Sequence, residues 1–142
     1  YDDTDEKVKA SKEMRAKQSE IMSAWSDSLL ANSGEKNVII VGDFNDFPLR
    51  WEKPTLTAIY KNPNMKFLTD STKSCKFTNK FGIDQIVVSK ETLRRYKQQG
   101  VFVYDTYSAL GKDKAEKISD HCPLTIRLDV TAQDEDSVEI SK

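Results

Sequence analysis

The stretch that most constrains the fold is Asn-Val-Ile-Ile-Val-Gly-Asp-Phe-Asn-Asp at residues 37–46. Its four consecutive β-branched residues, Val38–Val41, predict a strand that is buried on both faces. Gly42 ends the apolar run, and Asp43 and Asn45 follow in a loop. A strand that ends in polar residues suits a site at the edge of a sheet, where a rigid element fixes acids near a ligand. An ordinary strand-to-turn junction uses the same residue types, so other parts of the chain must decide between the two interpretations.

The length and composition indicate one folded domain. The chain has 142 residues, of which 37% are hydrophobic and 32% are charged, a polar composition that still allows a core. No apolar run approaches the roughly 20 residues of a transmembrane helix, so we expect no membrane span. Because the sequence begins at Tyr1, we expect a processed or excised piece, and the absence of a signal peptide says little about export.

Charge is unevenly distributed, although the formal net charge is only −1. Residues 49–119 contain 14 Lys and Arg against 7 Asp and Glu, whereas residues 131–142 contain four acids against one lysine. We interpret residues 131–142 as a flexible acidic tail. A basic body would attract a phosphate-bearing partner such as nucleic acid, but scattered, solvated lysines explain the same count equally well.

Two cysteines, Cys75 and Cys122, are too few for a disulfide framework and do not form a Cys-x-x-Cys pair. We expect both thiols to be reduced and partly buried, with a single bridge as the alternative. As a nucleophile, Cys122 would need a nearby base and a lowered pKa, and its orientation opposite to His121 along a strand favours packing in the interior.

Since His121 is the only histidine, a zinc site is disfavoured, and a bound metal would be held by carboxylates, as magnesium, manganese and calcium are.

Periodicity predicts one long helix and several short elements. Apolar residues recur at helical spacing between Ala10 and Leu30, namely Met14, Ile21, Met22, Trp25 and Leu29, and residues 1–9 are predicted to be a loop. The other predicted elements are strands at 65–68, 76–79, 83–89, 101–105 and 124–130, a short helix at 54–60, a short surface helix or turn at 91–99, and loops at 71–74 and 108–117.

Asp84 lies inside the apolar strand predicted at 83–89. A carboxylate that is buried without a partner destabilises a fold by several kcal/mol, so Asp84 should either face water or have a dedicated partner. His121 is the natural partner, because a carboxylate fixes the tautomer of an imidazole and favours its charged form. Asp43 follows another strand and Asp120 precedes His121, so the sequence predicts that these polar clusters converge on one edge of a sheet.

Three segments in this order resemble the last three motifs of the endonuclease/exonuclease/phosphatase superfamily, which has the DNase I-like fold. They are Val-Gly-Asp-Phe-Asn-Asp at 41–46, Gly-Ile-Asp-Gln-Ile-Val-Val-Ser at 82–89 and Ile-Ser-Asp-His-Cys-Pro-Leu at 118–124. Arg15 and Gln18 also fit the helix that precedes the first of these motifs in many members. The resemblance extends from about residue 10 to residue 130.

The resemblance implies an α/β (α+β) fold, specifically the C-terminal half of a four-layered α/β sandwich with one mixed sheet and a long helix. Residues 1–130 would be the C-terminal portion of a DNase I-like phosphoesterase domain, followed by the tail at 131–142. The earlier family motifs, which carry a metal-binding Asn and Glu, are absent from this sequence. We therefore expect about half of an active site, an isolated chain that is inactive, and an exposed apolar sheet face where the missing N-terminal half would pack.

The resemblance also implies catalytic roles in a phosphoester hydrolase. Asp43 would orient or deprotonate the attacking water, and Asn45 would bind the phosphate or align Asp43. His121, held in register by Asp84, would stabilise the charge on the phosphoryl oxygens in the transition state.

Binding roles follow from the same resemblance. Asp120 and Asp43 would hold a divalent metal, with magnesium preferred and manganese or calcium as alternatives. Arg15, Gln18 and Asn45 would contact the substrate.

Nucleic acid is the substrate that the motifs favour, because Ile-Asp-Gln-Ile at 83–86 resembles the nuclease branch more than the inositol-phosphatase branch. A sphingomyelinase-like lipid hydrolase or an inositol phosphate phosphatase is the alternative enzyme. A non-catalytic half-domain that binds a partner is an alternative of another class, although acids at all three motifs argue against a degenerate site.

Overall fold

The structure is a computed structural model that describes residues 5–97 and 100–131, and it has the predicted mixed α+β class. Its helices are α1 Asp5–Asn32, α2 Thr57–Tyr60, α3 Lys90–Arg95, α4 Thr106–Leu110 and α5 Lys112–Ile118. Its strands are β1 Ile39–Asp43, β2 Met65–Phe67, β3 Asp84–Ser89, β4 Phe102–Val103 and β5 Leu124–Thr125. Apart from Thr131, the predicted acidic tail lies outside the described residues.

The described strands form two antiparallel sheets. One sheet has the order β1-β3-β2 and the other pairs β4 with β5. The prediction of one mixed sheet is therefore wrong for the described residues, because β3 runs antiparallel to both of its neighbours. Hydrophobic patterns identify strands without fixing the direction in which they pair, and a parallel pair would need a crossover connection of roughly a dozen residues or more.

One face of the three-stranded sheet packs against α1 and α2. The buried core cluster consists of Leu56, Ile59, Met65, Phe67 and Val87. Met22, Ile40 and Phe44 pack against that cluster from α1, β1 and the loop after β1. The core thus fixes the end of β1 and the start of the following loop, where the sequence predicts a site.

Helix α1 is longer than its apolar periodicity predicts. Residues 5–9, predicted as a loop, are helical. Asp5 and Glu6 occupy the first described turn, where negative charge is favourable, and a Lys9–Glu13 ion pair of 3.9 Å bridges one turn. Although α1 has 28 residues, no helix in the described part of the chain has the length and apolar character needed to cross a membrane.

Helix α1 docks on the rest of the chain largely through polar groups. Its buried residues are Ser19 and Ser26. The backbone N–H of Ile59 donates to Ser19 Oγ at 3.1 Å. Asn62 Nδ2 donates to Ser23 Oγ at 2.9 Å and to Asp27 Oδ1 at 3.1 Å. These hydrogen bonds orient the helix so that much of its apolar stripe faces away from the core.

The chain therefore carries an exposed apolar face, which consists of Met14, Ile21, Trp25, Leu29, Ile39 and Val41. Trp25 is 68% exposed and Val41 is 67% exposed. The prediction that the strand at Val38–Val41 is buried on both faces is wrong, because Val38 and Ile40 pack against the core while Ile39 and Val41 are exposed. The exposed sheet face expected from the resemblance is present.

We expect the chain to self-associate through this apolar face, because contiguous exposed apolar surface of this kind favours association in water. Replacing Ile21 by Lys and Trp25 by Glu should shift sedimentation velocity profiles toward the monomer without loss of helical circular dichroism. Trp51→Glu is the matched control, since Trp51 is 89% exposed and lies outside the face. A wild-type chain that is monomeric at every concentration, or a double variant that associates as strongly, would contradict the expectation.

Candidate functional site

Asp43 and Asp84 are brought together by strand register. Strands β1 and β3 are antiparallel, and Asp43 at the end of β1 is paired with Asp84 at the start of β3. The pairing continues one step further through a hydrogen bond of 2.9 Å from Phe44 N–H to the Ile83 carbonyl oxygen. Because side chains at directly opposite positions share one face of the sheet, the two carboxylates project from the same face.

His121 contacts Asp84 directly, as the sequence predicts. The Nδ1 atom of His121 lies 2.9 Å from Asp84 Oδ1 and 2.8 Å from Oδ2. The loop before β5 is held by the backbone N–H of His121, which donates to Ser119 Oγ at 3.0 Å. A carboxylate at Nδ1 selects the tautomer or charge state with a proton there, so Nε2 is left to contact other groups. Asp120 Oδ1 lies 3.8 Å from that Nε2 atom.

The surroundings of His121 favour its protonated form. The hydrogen bond to Asp84 raises the pKa of His121 above 6.5, partial burial opposes that rise, and the charges of Asp84, Asp43 and Asp120 add to it. Since the pKa is raised on folding, the stabilisation from this pair is complete below pH 6.5 and is lost as the pH rises through the raised value. The protonated imidazole therefore persists to a higher pH in the folded chain than in the unfolded chain.

We expect Asp84→Asn to lower the pKa of His121, because the substitution removes the negative charge that contacts Nδ1. His121 is the only histidine, so its ring proton signals in an NMR pH titration need no assignment. Asp120→Asn is the control and should lower the pKa less, since Asp120 contributes least to the shift. Equal shifts in the two variants would show that the hydrogen bond to Asp84 is not the main cause.

Asn45 aligns Asp43 in the structure. Its backbone N–H donates to Asp43 Oδ1 at 2.7 Å, and its Nδ2 donates to Asp43 Oδ2 at 3.1 Å. Asn45 has a φ of 52°, in the left-handed region that asparagine tolerates better than most residues. Of the two roles that the resemblance implies for Asn45, this geometry favours alignment of Asp43.

Asp46 anchors the loop that carries Asp43 and Asn45, a role that the sequence interpretation did not assign. It is almost fully buried and accepts hydrogen bonds from Thr55 Oγ1 at 2.6 Å, from the Phe47 N–H at 2.9 Å and from Arg50 Nε. Burial alone would raise the pKa of Asp46, but the bonds from Thr55 and Arg50 bring it below its ordinary value. In the sequence, Asp46 is visible only as an acid that follows the Asp-Phe-Asn motif. That position alone does not show whether the side chain is buried and anchors the loop or lies on the surface.

The candidate residues line two different cavities. Arg15, Gln18, Asp43 and Asn45 line a cavity of about 700 Å³ beside the apolar face. Arg15 donates to Ser11 Oγ at 2.8 Å within α1. The structure thus places the predicted substrate-binding pair on the same cavity as Asp43 and Asn45.

The second cavity contains the histidine. Asp84, Asp120 and His121 line this space of about 270 Å³. Its opposite wall is formed by residues 73–77 and 80–83, where the predicted strand at 76–79 is absent. The sequence analysis did not assign residues 73–77 and 80–83 to the site. The signal available in the sequence was a run that contains Lys73, Lys76 and Lys80 without an acid between them.

Cys75 and Cys122 form a disulfide with a Cα–Cα distance of 6.3 Å, so the expectation of two reduced thiols is wrong. Cys122 is buried, as predicted, and its Sγ lies 3.1 Å from Thr106 Oγ1. A half-cystine has no thiolate to attack a substrate, which removes Cys122 as a nucleophile in this state. Loops that are 47 residues apart must meet for the bridge to form, and no sequence pattern reports that proximity.

The described residues do not complete a metal centre. Among residues 5–97 and 100–131, no group of three or more His, Cys, Asp or Glu side chains could hold a metal ion. Asp120 is exposed and Asp43 is already bonded to Asn45, so these two carboxylates alone do not enclose a cation.

No model of a known protein family matches the chain, and no curated protein sequence matches it. The functional interpretation thus depends on the geometry of the site. Its central elements are a carboxylate–imidazole pair, a second carboxylate on the same sheet face, and an asparagine that orients this second carboxylate.

Proposed function

We propose that this chain belongs to a phosphodiester hydrolase of the DNase I-like type that uses nucleic acid as its substrate. The proposal is carried by one observation, which is the contact of His121 Nδ1 with Asp84 at 2.8 Å beside Asp43 on the same sheet face. The order of elements supports it as well, since α1 precedes the strand that ends in Gly-Asp-Phe-Asn and His121 comes shortly before β5.

The proposed chemistry assigns His121 to the phosphoryl oxygens. Asp84 accepts a hydrogen bond from Nδ1–H, and in the protonated imidazole Nε2–H donates to a non-bridging oxygen of the scissile phosphate. Charge accumulates on these oxygens during in-line attack by water, so a fixed cationic donor stabilises the transition state more than the bound substrate. The hydrogen bond from His121 to Asp84 raises the pKa of the imidazole and so favours the charged form of that donor.

Asp43 is the group proposed to act on water. Asn45 occupies both oxygens of Asp43 with hydrogen bonds, which fixes the orientation of the carboxylate and leaves further lone pairs for a water molecule. A carboxylate oriented in this way aligns the nucleophile and accepts its proton as the new P–O bond forms. The P–O bond to the leaving strand breaks in the same displacement, and the leaving oxygen takes its proton from solvent water. Asn45 thus acts through Asp43.

A divalent ion remains part of the proposal as a requirement of the reaction. Asp43 and Asp120 could supply oxygen ligands of the kind that magnesium prefers, and other ligands would have to complete the site. The ion would neutralise charge on the phosphate. Chelation should therefore abolish turnover, and added magnesium should restore it.

The test uses the product of the complete reading frame that encodes this chain. Plasmid DNA, an abasic duplex, an inositol phosphate and sphingomyelin are offered with and without magnesium. Magnesium-dependent cleavage of DNA that disappears in His121→Ala supports the proposal. Hydrolysis of only the inositol phosphate or only sphingomyelin supports the small-substrate or lipid hydrolase instead, and no hydrolysis of any of the four substrates overturns the enzymatic assignment.

A second candidate function is supported by the exposed apolar face and the cavity of about 700 Å³ beside it. A half-domain that acts by binding another polypeptide would expose such a surface. This function predicts that Ile21→Lys/Trp25→Glu abolishes partner binding while His121→Ala leaves it unchanged. The hydrolase predicts that His121→Ala is the more damaging change.

A further inference from the structure

Residues 72–82, here called the lysine loop, line part of the cavity that contains His121. The loop carries Lys73, Lys76 and Lys80 and no acid. Lys73 and Phe81 form an isolated antiparallel β-bridge across the loop. Ser74 N–H donates to the Lys80 carbonyl oxygen at 3.0 Å, and Gly82 N–H donates to the Thr72 carbonyl oxygen at 2.9 Å. The Cys75–Cys122 disulfide attaches the loop to the residue after His121. The lysine loop is therefore built into the candidate site.

The lysines of the loop lie over aromatic rings. The Nζ atom of Lys73 is 3.7 Å from the centroid of Phe81, and that of Lys80 is 4.9 Å from the centroid of Phe77. Lys76 also approaches Phe77, at 5.7 Å, and forms an ion pair of 3.9 Å with Glu116. Among the described residues, Lys73 and Lys80 form no ion pair with a carboxylate, so their charges are available to an anion from solution.

The two phenylalanines of the loop differ in what covers them. Phe81 packs on Phe47 with a centroid distance of 5.3 Å, and Arg50 covers Phe47 at 4.6 Å. This stack holds Phe81 and the lysine above it in place. Phe77 is 49% exposed and lines the same cavity as Asp84 and His121, so it is the ring that a ligand can reach.

An exposed ring flanked by cations matches the chemistry of an unpaired nucleotide. Single strands are bound by lysine or arginine along the backbone and by bases stacked on aromatic side chains. In a duplex the bases are stacked on each other, so Phe77 would gain little from them. A bare inositol phosphate or lipid headgroup would use the lysines without using the ring.

We propose that the lysine loop binds a single-stranded segment of nucleic acid, with one base stacked on Phe77 and adjacent phosphates at Lys73 and Lys80. This inference rests on the proposed function, since it supplies the substrate class of the same site, and it directs the backbone toward His121. The lysine loop should therefore bind unpaired strands more tightly than duplex.

The test measures binding without cleavage. Fluorescence anisotropy in the absence of divalent ions compares a labelled oligothymidylate with an abasic oligomer of equal length and charge, using the product of the complete reading frame. The wild type should bind the thymidylate about tenfold more tightly, because one stacked base contributes that much. Phe77→Ala should remove this preference and Phe77→Trp should retain it, with melting temperatures confirming that both variants fold.

Substitution of Lys73 and Lys80 should change the same assay in a different way from substitution of Phe77. Lys73→Ala/Lys80→Ala should weaken the binding of both oligomers and reduce the slope of log affinity against log salt by about 1.4, as expected for two lost phosphate contacts on a single strand. Lys61→Ala/Lys66→Ala, two exposed lysines that do not line the cavity, and Trp51→Ala are the matched controls and should bind like the wild type.

Three results would overturn the inference. They are equal wild-type affinity for the two oligomers, tighter binding of a duplex than of the single strand, and tighter binding of vesicles containing a phosphoinositide with no dependence on Phe77. The assay reads binding without cleavage, so its result is independent of the proposed reaction. Binding without hydrolysis would therefore reject the proposed reaction and keep the loop site, whereas hydrolysis without single-strand binding would do the reverse.

Discussion

Replacement of His121 by alanine is expected to lower the rate of phosphodiester cleavage by about 10²- to 10⁴-fold, the range found when a transition-state donor or acid–base group is removed. The loss should appear mainly in kcat, because Nε2 is proposed to contact oxygens whose charge grows only in the transition state. The measurement is steady-state cleavage of a fluorescent DNA substrate by the product of the complete reading frame, with saturating magnesium.

The stability of the variant separates a chemical effect from a structural one. His121 is only partly buried, so His121→Ala should retain the circular dichroism spectrum and most of the unfolding free energy. Asp113→Asn, at the first turn of α5 and outside both cavities, is a matched surface control and should leave turnover unchanged. Wild-type turnover in the His121→Ala variant would remove His121 from the mechanism.

Removal of the disulfide is expected to have the largest effect on stability. Cys75→Ala/Cys122→Ala should lower the free energy of unfolding by about 2–4 kcal/mol, because the bridge closes a long loop and restricts the unfolded chain. The sequence separation of 47 residues corresponds to about 4 kcal/mol in the chain-entropy model. Urea unfolding followed by circular dichroism measures the change, and the melting temperature should fall by about 10 °C.

Chemical reduction provides the control for the cysteine variant. A phosphine reductant should destabilise the wild type by a similar amount and leave Cys75→Ala/Cys122→Ala unchanged. The reductant should also shift the NMR signals of His121, since Cys122 is the next residue and the bridge fixes it against the lysine loop. If reduced and oxidised wild-type chains unfold at the same urea concentration, the bridge does not stabilise the fold.

The contact at the centre of the site was accessible from the sequence. Asp84 interrupts an apolar strand, and a half-buried carboxylate needs a partner, which the single histidine provides. Pairing of Asp43 with Asp84 also agrees with the expectation that acid-bearing strand ends converge. The contact of Asp84 with His121 follows from the cost of an unpaired charge, which is local and strong, whereas the convergence of the acids follows from their positions at the ends of strands.

Other features were not accessible because they depend on distant parts of the chain. The predicted loop at 108–117 overlaps α4 and α5, two helices too short to display periodicity. Asp105 caps the N-terminus of α4, and its side chain accepts from Ser108 N–H at 2.9 Å. Within residues 5–97 and 100–131, the predicted strand at 124–130 pairs at Leu124–Thr125 and through one further bridge from Tyr96 to Leu128. Alternation shows which residues can face a core, but pairing requires a partner strand of matching length.

Among the described strands, β1 lies at the edge of its sheet, which has a consequence for the timing of the proposed reaction. In the described part of the chain, β1 is hydrogen-bonded only to β3, and edge strands open more readily than central ones. Each fraying event at the end of β1 would carry Asp43 away from Asp84 and His121. A strand that pairs with the open edge of β1 would increase the fraction of time for which Asp43 lies beside Asp84. Such a strand could regulate the proposed turnover without contacting the substrate.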